Sequence, residues 1–375
     1  MQNYVYRDQD AARHAPTGEF ELRVCNACGF AFNATFDPRR LSYDENYNNA
    51  VPSGIFDRYY EQIATMLFER FSLDNKAVVD VGCGKGGFLK TLCRKFPSVR
   101  GIGIDPSYEP DGDESGSNAQ FIQDIFKEEH VKDQPGLIIC RHVLEHIQSP
   151  VSFLGSIRHS GLVKARTPFF LEVPDLSWIV QNRAFWDFCY EHCNYFTEES
   201  FANTLRRADF RVESTQSAFG EQYLWAFGTI ESDIQAIPSP SPDLVETLAS
   251  YARAEADLIK SSRERLESLR SDGSALVVWG MSTKGVVLCN LIDRETGLFD
   301  YCVDINAEKS GAFVPHTGHQ INSPEILKEQ GVSKAVIIVM NPNYLAEISS
   351  TCQSIGLRAC FVDASGNELE TARVA

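Results

Sequence analysis

The sequence lacks an excess of basic residues and any long apolar run. Its 375 residues include 35 lysines and arginines against 51 aspartates and glutamates, a formal net charge of −16. Nucleic acids and anionic membranes attract basic surfaces, so this charge argues against both as partners. It does not exclude a nucleotide substrate, for which a local basic pocket suffices. No apolar run approaches the roughly 20 residues that span a bilayer.

A secretion signal is also missing, because no basic segment followed by an apolar core opens the chain. The 11 cysteines, an odd number, are therefore expected to be reduced thiols in a cytoplasmic protein. Cys25 and Cys28 form half of a zinc knuckle, but a closed zinc site needs four ligands and no second C-x-x-C lies nearby. The pair predicts either a zinc site or a degenerate knuckle without metal.

The most informative stretch is 77–89, where an apolar run enters a glycine-rich turn and then a helical pattern. Gly82, Gly84 and Gly86 allow the backbone to turn sharply and approach a ligand closely. The following helix offers unpaired N–H groups at its start. The same letters satisfy G-x-G-x-x-G, so an NAD-binding enzyme remains a rival interpretation.

Acidic residues lie at or just after the ends of three predicted strands and favour an adenosyl ligand that carries an ammonium group. Asp80 precedes the first glycine and can accept from an amine, whereas Asp105 has the spacing of a ribose-binding carboxylate. Asp124 can accept from an adenine amino group. Cys83 in the turn and Ile125 beside Asp124 complete the predicted cofactor-binding set.

Alternating strands and helices predict an α/β fold with a parallel sheet. We expect helices near 55–71 and 244–269, and strands near 77–82, 100–105, 119–122, 136–141 and 168–173. A second strand–glycine–helix pattern at 275–286 predicts a smaller α/β unit. The predicted divisions are an N-terminal knuckle-like segment (1–45), a central α/β domain (46–235), a linker with a long helix (236–270) and a C-terminal Rossmann-like domain (271–375).

Two further segments concentrate polar side chains. The fourth strand leads into 140–147, which contains two histidines and a glutamate at one strand end. The segment 185–197 contains Tyr190, Glu191 and His192, which together can form hydrogen bonds and transfer protons. Such a concentration favours a functional site over a packed loop.

The stretch around Asp80 resembles the first motif of class I SAM-dependent methyltransferases. Nearly the whole chain resembles the sugar C-methyltransferase family, which methylates a carbon of a nucleotide-linked ketosugar. The resemblance rests most on Tyr190-Glu191-His192 with Tyr195-Phe196, and on Gly280…Lys284-Gly285, Asp304…Lys309-x-Gly311 and Asn341-Pro342-Asn343-Tyr344. It implies SAM as methyl donor, a class I methyltransferase domain, a C-terminal Rossmann-like domain and an N-terminal zinc-binding segment.

The resemblance also implies catalytic residues. His146 stands where the family has a catalytic histidine, Glu191 and His192 match residues that lie against the sugar, and Tyr47 is the candidate for a tyrosine that reaches the site. Cys189 replaces a tyrosine of the family, which makes Tyr190 its neighbouring substitute.

Carbon methylation next to a ketone requires a base and a donor to the enolate oxygen. We expect His192 or His146 to be the base and the other histidine to polarise the ketone. Glu191 would orient a histidine, and Tyr190 or Tyr47 would donate to the oxygen. Two further rival interpretations are an O-methyltransferase and a non-catalytic scaffold.

Overall fold

The computed structural model describes residues 3–41, 52–110, 118–130, 133–160, 166–231, 242–270 and 273–370. Its strands are β1 (Leu22–Val24), β2 (Ala31–Asn33), β3 (Ala77–Val81), β4 (Arg100–Ile104), β5 (Ala119–Ile122), β6 (Leu137–Arg141), β7 (Thr167–Pro174), β8 (Asn194–Tyr195), β9 (Phe210–Ala218), β10 (Tyr223–Ile230), β11 (Ala275–Trp279), β12 (Tyr301–Val303), β13 (Ile321–Asn322), β14 (Lys334–Val339) and β15 (Arg358–Val362). Its α-helices are α1 (Gln9–Arg13), α2 (Gly54–Phe71), α3 (Gly87–Lys95), α4 (Pro150–His159), α5 (Leu176–Gln181), α6 (Glu198–Arg207), α7 (Pro242–Ser268), α8 (Thr283–Ile292), α9 (Ile326–Glu329) and α10 (Leu345–Ser354).

A seven-stranded sheet forms the middle of the chain, in the order β5-β4-β3-β6-β7-β10-β9. The first five strands are parallel, and β10 pairs antiparallel with both β7 and β9. All residues of β3 and β6 are buried, as expected for parallel strands covered on both faces. The five predicted strands and the predicted helix near 55–71 are confirmed to within one residue at each end.

Helix α2 begins at a cap and buries one apolar face. The Ser53 hydroxyl accepts from the backbone N–H of Ile55 at 3.2 Å, and such a cap contributes about 1 kcal/mol. Tyr59, Ile63 and Leu67 recur at helical spacing and are buried against the sheet cluster. Helix α2 therefore packs against one face of the seven-stranded sheet.

A second, five-stranded sheet has the order β13-β12-β11-β14-β15, and all of its pairs are parallel. Its switch point, where the strand order reverses, lies between β11 and β14. The predicted smaller α/β unit is therefore present in the C-terminal part of the chain. Helix α7 precedes it and occupies nearly the positions expected for the long helix.

The N-terminal segment forms a small antiparallel sheet, β1-β2-β8, whose third strand comes from the 190–195 region. One hydrophobic cluster joins Phe185 and Trp186 to residues of α8 and β11. The 185–189 segment therefore packs against the C-terminal sheet unit. No helix in the described part of the chain has the length and apolarity needed to cross a membrane.

Candidate active site

The turn after β3 exposes bare backbone at the switch point of the seven-stranded sheet. Gly82, Gly84 and Gly86 have φ angles of 78°, 56° and 81°, in the left-handed region that favours glycine. A Cβ at Gly82 would collide with Val143 and one at Gly86 with Phe121, whereas Gly84 faces open space. The sequence motif thus forms a tight turn with one open side.

Asp80 and Asp105 flank this turn and differ in their hydrogen bonding. Asp80 is 3% exposed, and among the described residues its Oδ1 has no hydrogen-bond partner. Burial raises the pKa of Asp80 to about 7, although the charge of Arg141 acts in the opposite direction. Asp105 accepts from the Gly84 N–H at 2.8 Å and from the Ser107 N–H at 2.7 Å, so it braces the turn.

The remaining predicted cofactor residues lie nearby along the sheet edge. Asp124 accepts from the Lys127 ammonium at 2.6 Å, and this pairing lowers the pKa of the carboxyl. Ile125 is 63% exposed, an unusual position for a large apolar side chain. Burial raises the pKa of the Cys83 thiol, which keeps this group protonated.

These residues fit SAM. The unpartnered Asp80 oxygen is an acceptor for an ammonium group, and the bare turn admits a ligand against the backbone. An exposed apolar side chain at Ile125 offers a surface to an adenine ring. SAM bound there supplies an electrophilic methyl group.

His146 and His192 face each other at the carboxyl end of β6. Their ring centroids are 4.8 Å apart and the rings are nearly perpendicular, at 81°. The Nδ1 of His146 lies 3.0 Å from the backbone carbonyl of Glu191, so this nitrogen carries the hydrogen. Asn194 donates to both ends of the 144–147 turn, at 2.8 and 2.6 Å, and holds the two segments together.

The imidazole pair adjoins the glycine turn. Val143, directly before the 144–147 turn, is the residue that a Cβ at Gly82 would strike. The 190–195 segment is hydrogen-bonded to that same turn. The structure therefore brings together the two predicted halves of the site. Burial and the neighbouring His146 lower the pKa of His192 to about 3, so the His192 ring is neutral.

A buried cluster of charged side chains near the histidine pair was not predicted from the sequence. Glu172 on β7 is fully buried, accepts from Arg141 at 2.8 Å and lies 2.6 Å from Nε2 of His142. Its second oxygen accepts from the Tyr59 hydroxyl and the Trp225 indole. The positive charges of Arg141 and His142 lower the pKa of Glu172 against the effect of burial. The negative charge of Glu172 in turn raises the pKa of His142 to about 9, although burial acts in the opposite direction. The available signal was a glutamate inside an otherwise apolar strand.

The other predicted catalytic residues have different surroundings. The Tyr190 hydroxyl accepts from the Asp37 N–H at 2.9 Å and donates to a backbone carbonyl at 3.3 Å, so the N-terminal segment holds it. The Glu191 carboxylate accepts from the Asn3 N–H at 3.2 Å. The backbone carbonyl of Glu191 also accepts from Nδ1 of His146, so this residue contacts one histidine of the pair directly. Tyr47 lies outside the described residues.

Two sets of side chains offer metal-ligating atoms. Cys25 and Cys28 are free thiols on one turn, and hydrogen bonds lower the pKa of Cys25. Within the described ranges they belong to no group of three or more clustered metal-ligating side chains. Such a group does occur at Glu145, His146 and His192.

The C-terminal sheet unit contacts the site through its carboxyl edge. Lys284, at the start of α8, pairs with Asp187 at 2.9 Å and donates to Gln222 at 2.9 Å. Gln222 in turn donates to Asn341 at 2.9 Å. The turn before β10 therefore docks into the switch point of the five-stranded sheet.

Comparison with known proteins gives matches along most of the chain. A family model described as a methyltransferase domain matches residues 55–215, and one described as a C-methyltransferase C-terminal domain matches residues 242–359. The chain is 24% identical over 364 residues to C-methyltransferase NovU of Streptomyces niveus, covering 91% of this chain and 84% of that protein.

Shorter matches involve other methyltransferases. The chain is 32% identical over 94 residues to the ubiquinone biosynthesis O-methyltransferase of Serratia proteamaculans, covering 23% of this chain and 38% of that protein. The 1,6-didemethyltoxoflavin-N1-methyltransferase of Burkholderia thailandensis, solved with S-adenosylhomocysteine, has a TM-score of 0.37 at 15% identity; the match covers 57% of this chain and 100% of that one.

The methyltransferase-domain match contains the glycine turn, Asp80 within β3, the acids that follow β4 and β5, and both histidines of the pair. The C-terminal match contains β11 to β14 and α8. The chain is thus an enzyme that uses SAM, with the predicted α/β architecture. Together, the two domain matches and the full-length relative support a SAM-dependent C-methyltransferase family for this chain.

Proposed function

We propose that this enzyme methylates a carbon atom next to the ketone of a nucleotide-linked sugar. The observation that carries the proposal is the facing pair His146 and His192 beside the glycine turn, at 4.8 Å between ring centroids. A C-methyltransferase relative that aligns with 91% of the chain supports carbon as the acceptor. The nucleotide-linked ketosugar rests on the motif resemblance of the 190–196 segment and of the C-terminal unit.

His146 is assigned as the base. Its Nδ1 hydrogen points to the Glu191 carbonyl, which leaves the lone pair on Nε2 to accept a proton from a carbon acid. The fully buried Glu145 follows β6 on the same turn and stabilises the resulting imidazolium. The proton thus moves from the substrate carbon to His146, and the carbon becomes nucleophilic.

His192 is assigned to the substrate oxygen. A neutral imidazole still carries one N–H, which can donate to a ketone as it becomes an enolate. The nearly perpendicular arrangement allows one ring to face the carbon and the other the oxygen. A donor placed before the reaction begins stabilises developing charge without reorganisation.

The methyl donor is assigned to the turn and the sheet edge beside it. Asp80 would accept from the ammonium group, Asp105 from ribose hydroxyls and Asp124 from the adenine amino group. The proposed set also includes Gly82, Cys83, Gly84, Gly86 and Ile125.

All eleven cysteines are free thiols, which supports a reducing cytoplasmic location.

The test is exchange of the substrate hydrogen. The enzyme, S-adenosylhomocysteine and a nucleotide-linked ketosugar in deuterium oxide should exchange the hydrogen next to the ketone, and mass spectrometry should detect this. His146→Gln should abolish exchange while retaining SAM binding, whereas His159→Gln, at an exposed position at the end of α4, should exchange normally. Methylation of a hydroxyl without exchange, or undiminished exchange in His146→Gln, would contradict the proposal and favour an O-methyltransferase.

A further inference from the structure

We infer that Glu145, His146 and His192 bind one divalent transition-metal ion, and that this ion stops methyl transfer. The binding site is argued from geometry alone. The regulatory consequence rests on the proposed function, because it requires His146 to be the base.

The three side chains converge. One ligand atom from each residue lies within 4.8 Å of the others. Nitrogen and oxygen ligands sit about 2.0–2.2 Å from zinc, so ligand atoms around one ion are roughly 3.5 Å apart. The ligand atoms would therefore have to approach one another by roughly 1 Å to enclose an ion. Glu145 is 2% exposed, and the two rings already face each other.

The surroundings also match a metal site. Metal-binding histidines usually donate their other ring nitrogen to a carbonyl or carboxylate, and His146 does so to the Glu191 carbonyl. In the described part of the chain the buried Oε2 of Glu145 has no hydrogen-bond partner. Its other oxygen lies 3.5 Å from Nδ1 of His142. An unpartnered buried carboxylate oxygen is costly, and a cation bound there would offset that cost.

The ligand set defines the class of ion. Two imidazoles and one carboxylate suit zinc, cobalt(II), nickel(II) or iron(II) rather than calcium or magnesium, which prefer oxygen ligands. A metal on Nε2 of His146 uses the lone pair that would accept the substrate proton. Metal binding and proton abstraction are therefore mutually exclusive.

Cobalt(II) absorption tests the site without substrate. The full chain, stripped with EDTA, is titrated with cobalt(II) in a Cys25→Ser/Cys28→Ser background that removes the partly exposed thiol pair. One cobalt(II) should bind per chain. Glu145→Gln and His192→Gln should each weaken binding by roughly tenfold or more, whereas His159→Gln should not. Far-ultraviolet circular dichroism of each variant confirms folding.

Two results would overturn the site: no binding at millimolar cobalt(II), or wild-type affinity in both folded variants. The proposed inhibition by the metal is tested separately. Zinc should inhibit methyl transfer, and EDTA should restore it. Full methyltransferase activity with zinc bound would overturn the proposed inhibition. If ketosugar methylation itself fails, the cobalt(II) titration still decides the site.

Discussion

At the scale of single residues, the carboxyl of Asp80 combines burial with an unpartnered oxygen. Replacing it by asparagine should weaken SAM binding, because a neutral amide loses the charge-assisted hydrogen bond to the ammonium group. Such bonds are worth about 1.5–3 kcal/mol, or roughly 10- to 150-fold in Kd. Isothermal titration calorimetry measures the change. Asp74→Asn, in the turn before β3, is the matched control and should bind normally.

The same carboxyl should make SAM affinity depend on pH. Burial raises the pKa of Asp80 to about 7, so protonation removes the charge as pH falls from about 8 to about 6. The Kd for SAM should therefore rise in this range, with a limiting slope of about tenfold per pH unit. The Asp80→Asn variant should show a flatter profile. An equal slope in both proteins would contradict the assignment.

Asp293 is a purely structural carboxylate. It accepts from the N–H groups of Gly297, Leu298 and Phe299 at 2.9–3.0 Å and from His319 at 2.9 Å. The bonds lower its pKa to about 2 against the effect of burial. The stability they provide is present above the unfolded pKa and is lost as pH falls through about 2.

Asp293→Asn should therefore lower the free energy of unfolding at neutral pH by about 1–3 kcal/mol. It should also flatten the loss of stability between about pH 4 and about pH 2. Urea unfolding at several pH values measures both effects. An acid dependence in Asp293→Asn equal to that of the wild type would contradict this role.

At the scale of elements, the start of α8 holds the 185–189 segment. Lys284 pairs with Asp187 at 2.9 Å, and its ammonium lies 5.1 Å from the Trp178 ring centroid. Lys284→Met should destabilise the protein by about 1–3 kcal/mol, because a largely buried carboxylate loses its partner. Differential scanning calorimetry measures the shift in Tm.

The double variant Asp187→Asn/Lys284→Met separates charge from packing. Removing the orphaned carboxylate should recover part of the lost stability. If the double variant is as unstable as the sum of both single variants, the ion pair is not the source of the effect.

At the scale of the whole molecule, the 176–195 segment and the C-terminal sheet unit share a hydrophobic core that includes Phe185 and Trp186. A chain ending at residue 241 should therefore expose these side chains, bind the dye ANS and unfold without a sharp transition. Large aromatic side chains left in water each forfeit several kcal/mol of burial. A truncated chain that unfolds cooperatively and binds SAM with full affinity would contradict this view.

Local patterns were enough to predict several elements. The strand–glycine–helix signal at 77–89 depends on neighbouring residues, and β3, its turn and α3 lie where it places them. The Thr197–Ser200 capping box at the start of α6 is equally local, since a cap is completed within one helical turn.

Contacts between distant residues were not predictable. Glu172 pairs with Arg141 across 31 positions, and Asn3 reaches Glu191 across 188. The Tyr190 hydroxyl bonds to the backbone of the 35–37 segment across 153 and 155 positions. Sequence periodicity describes neighbouring residues only, so it cannot predict such long-range contacts.

The sequence by itself determined the strand positions, the bare glycine turn and the acids at the sheet edge, because these follow from side-chain period, backbone freedom and spacing along one segment. The tertiary structure alone decided that His146 donates to the Glu191 carbonyl, that Glu172 is charged, and that the C-terminal unit packs on the 185–189 segment. Burial and electrostatic pairing depend on which distant surfaces meet, and this requires the folded chain.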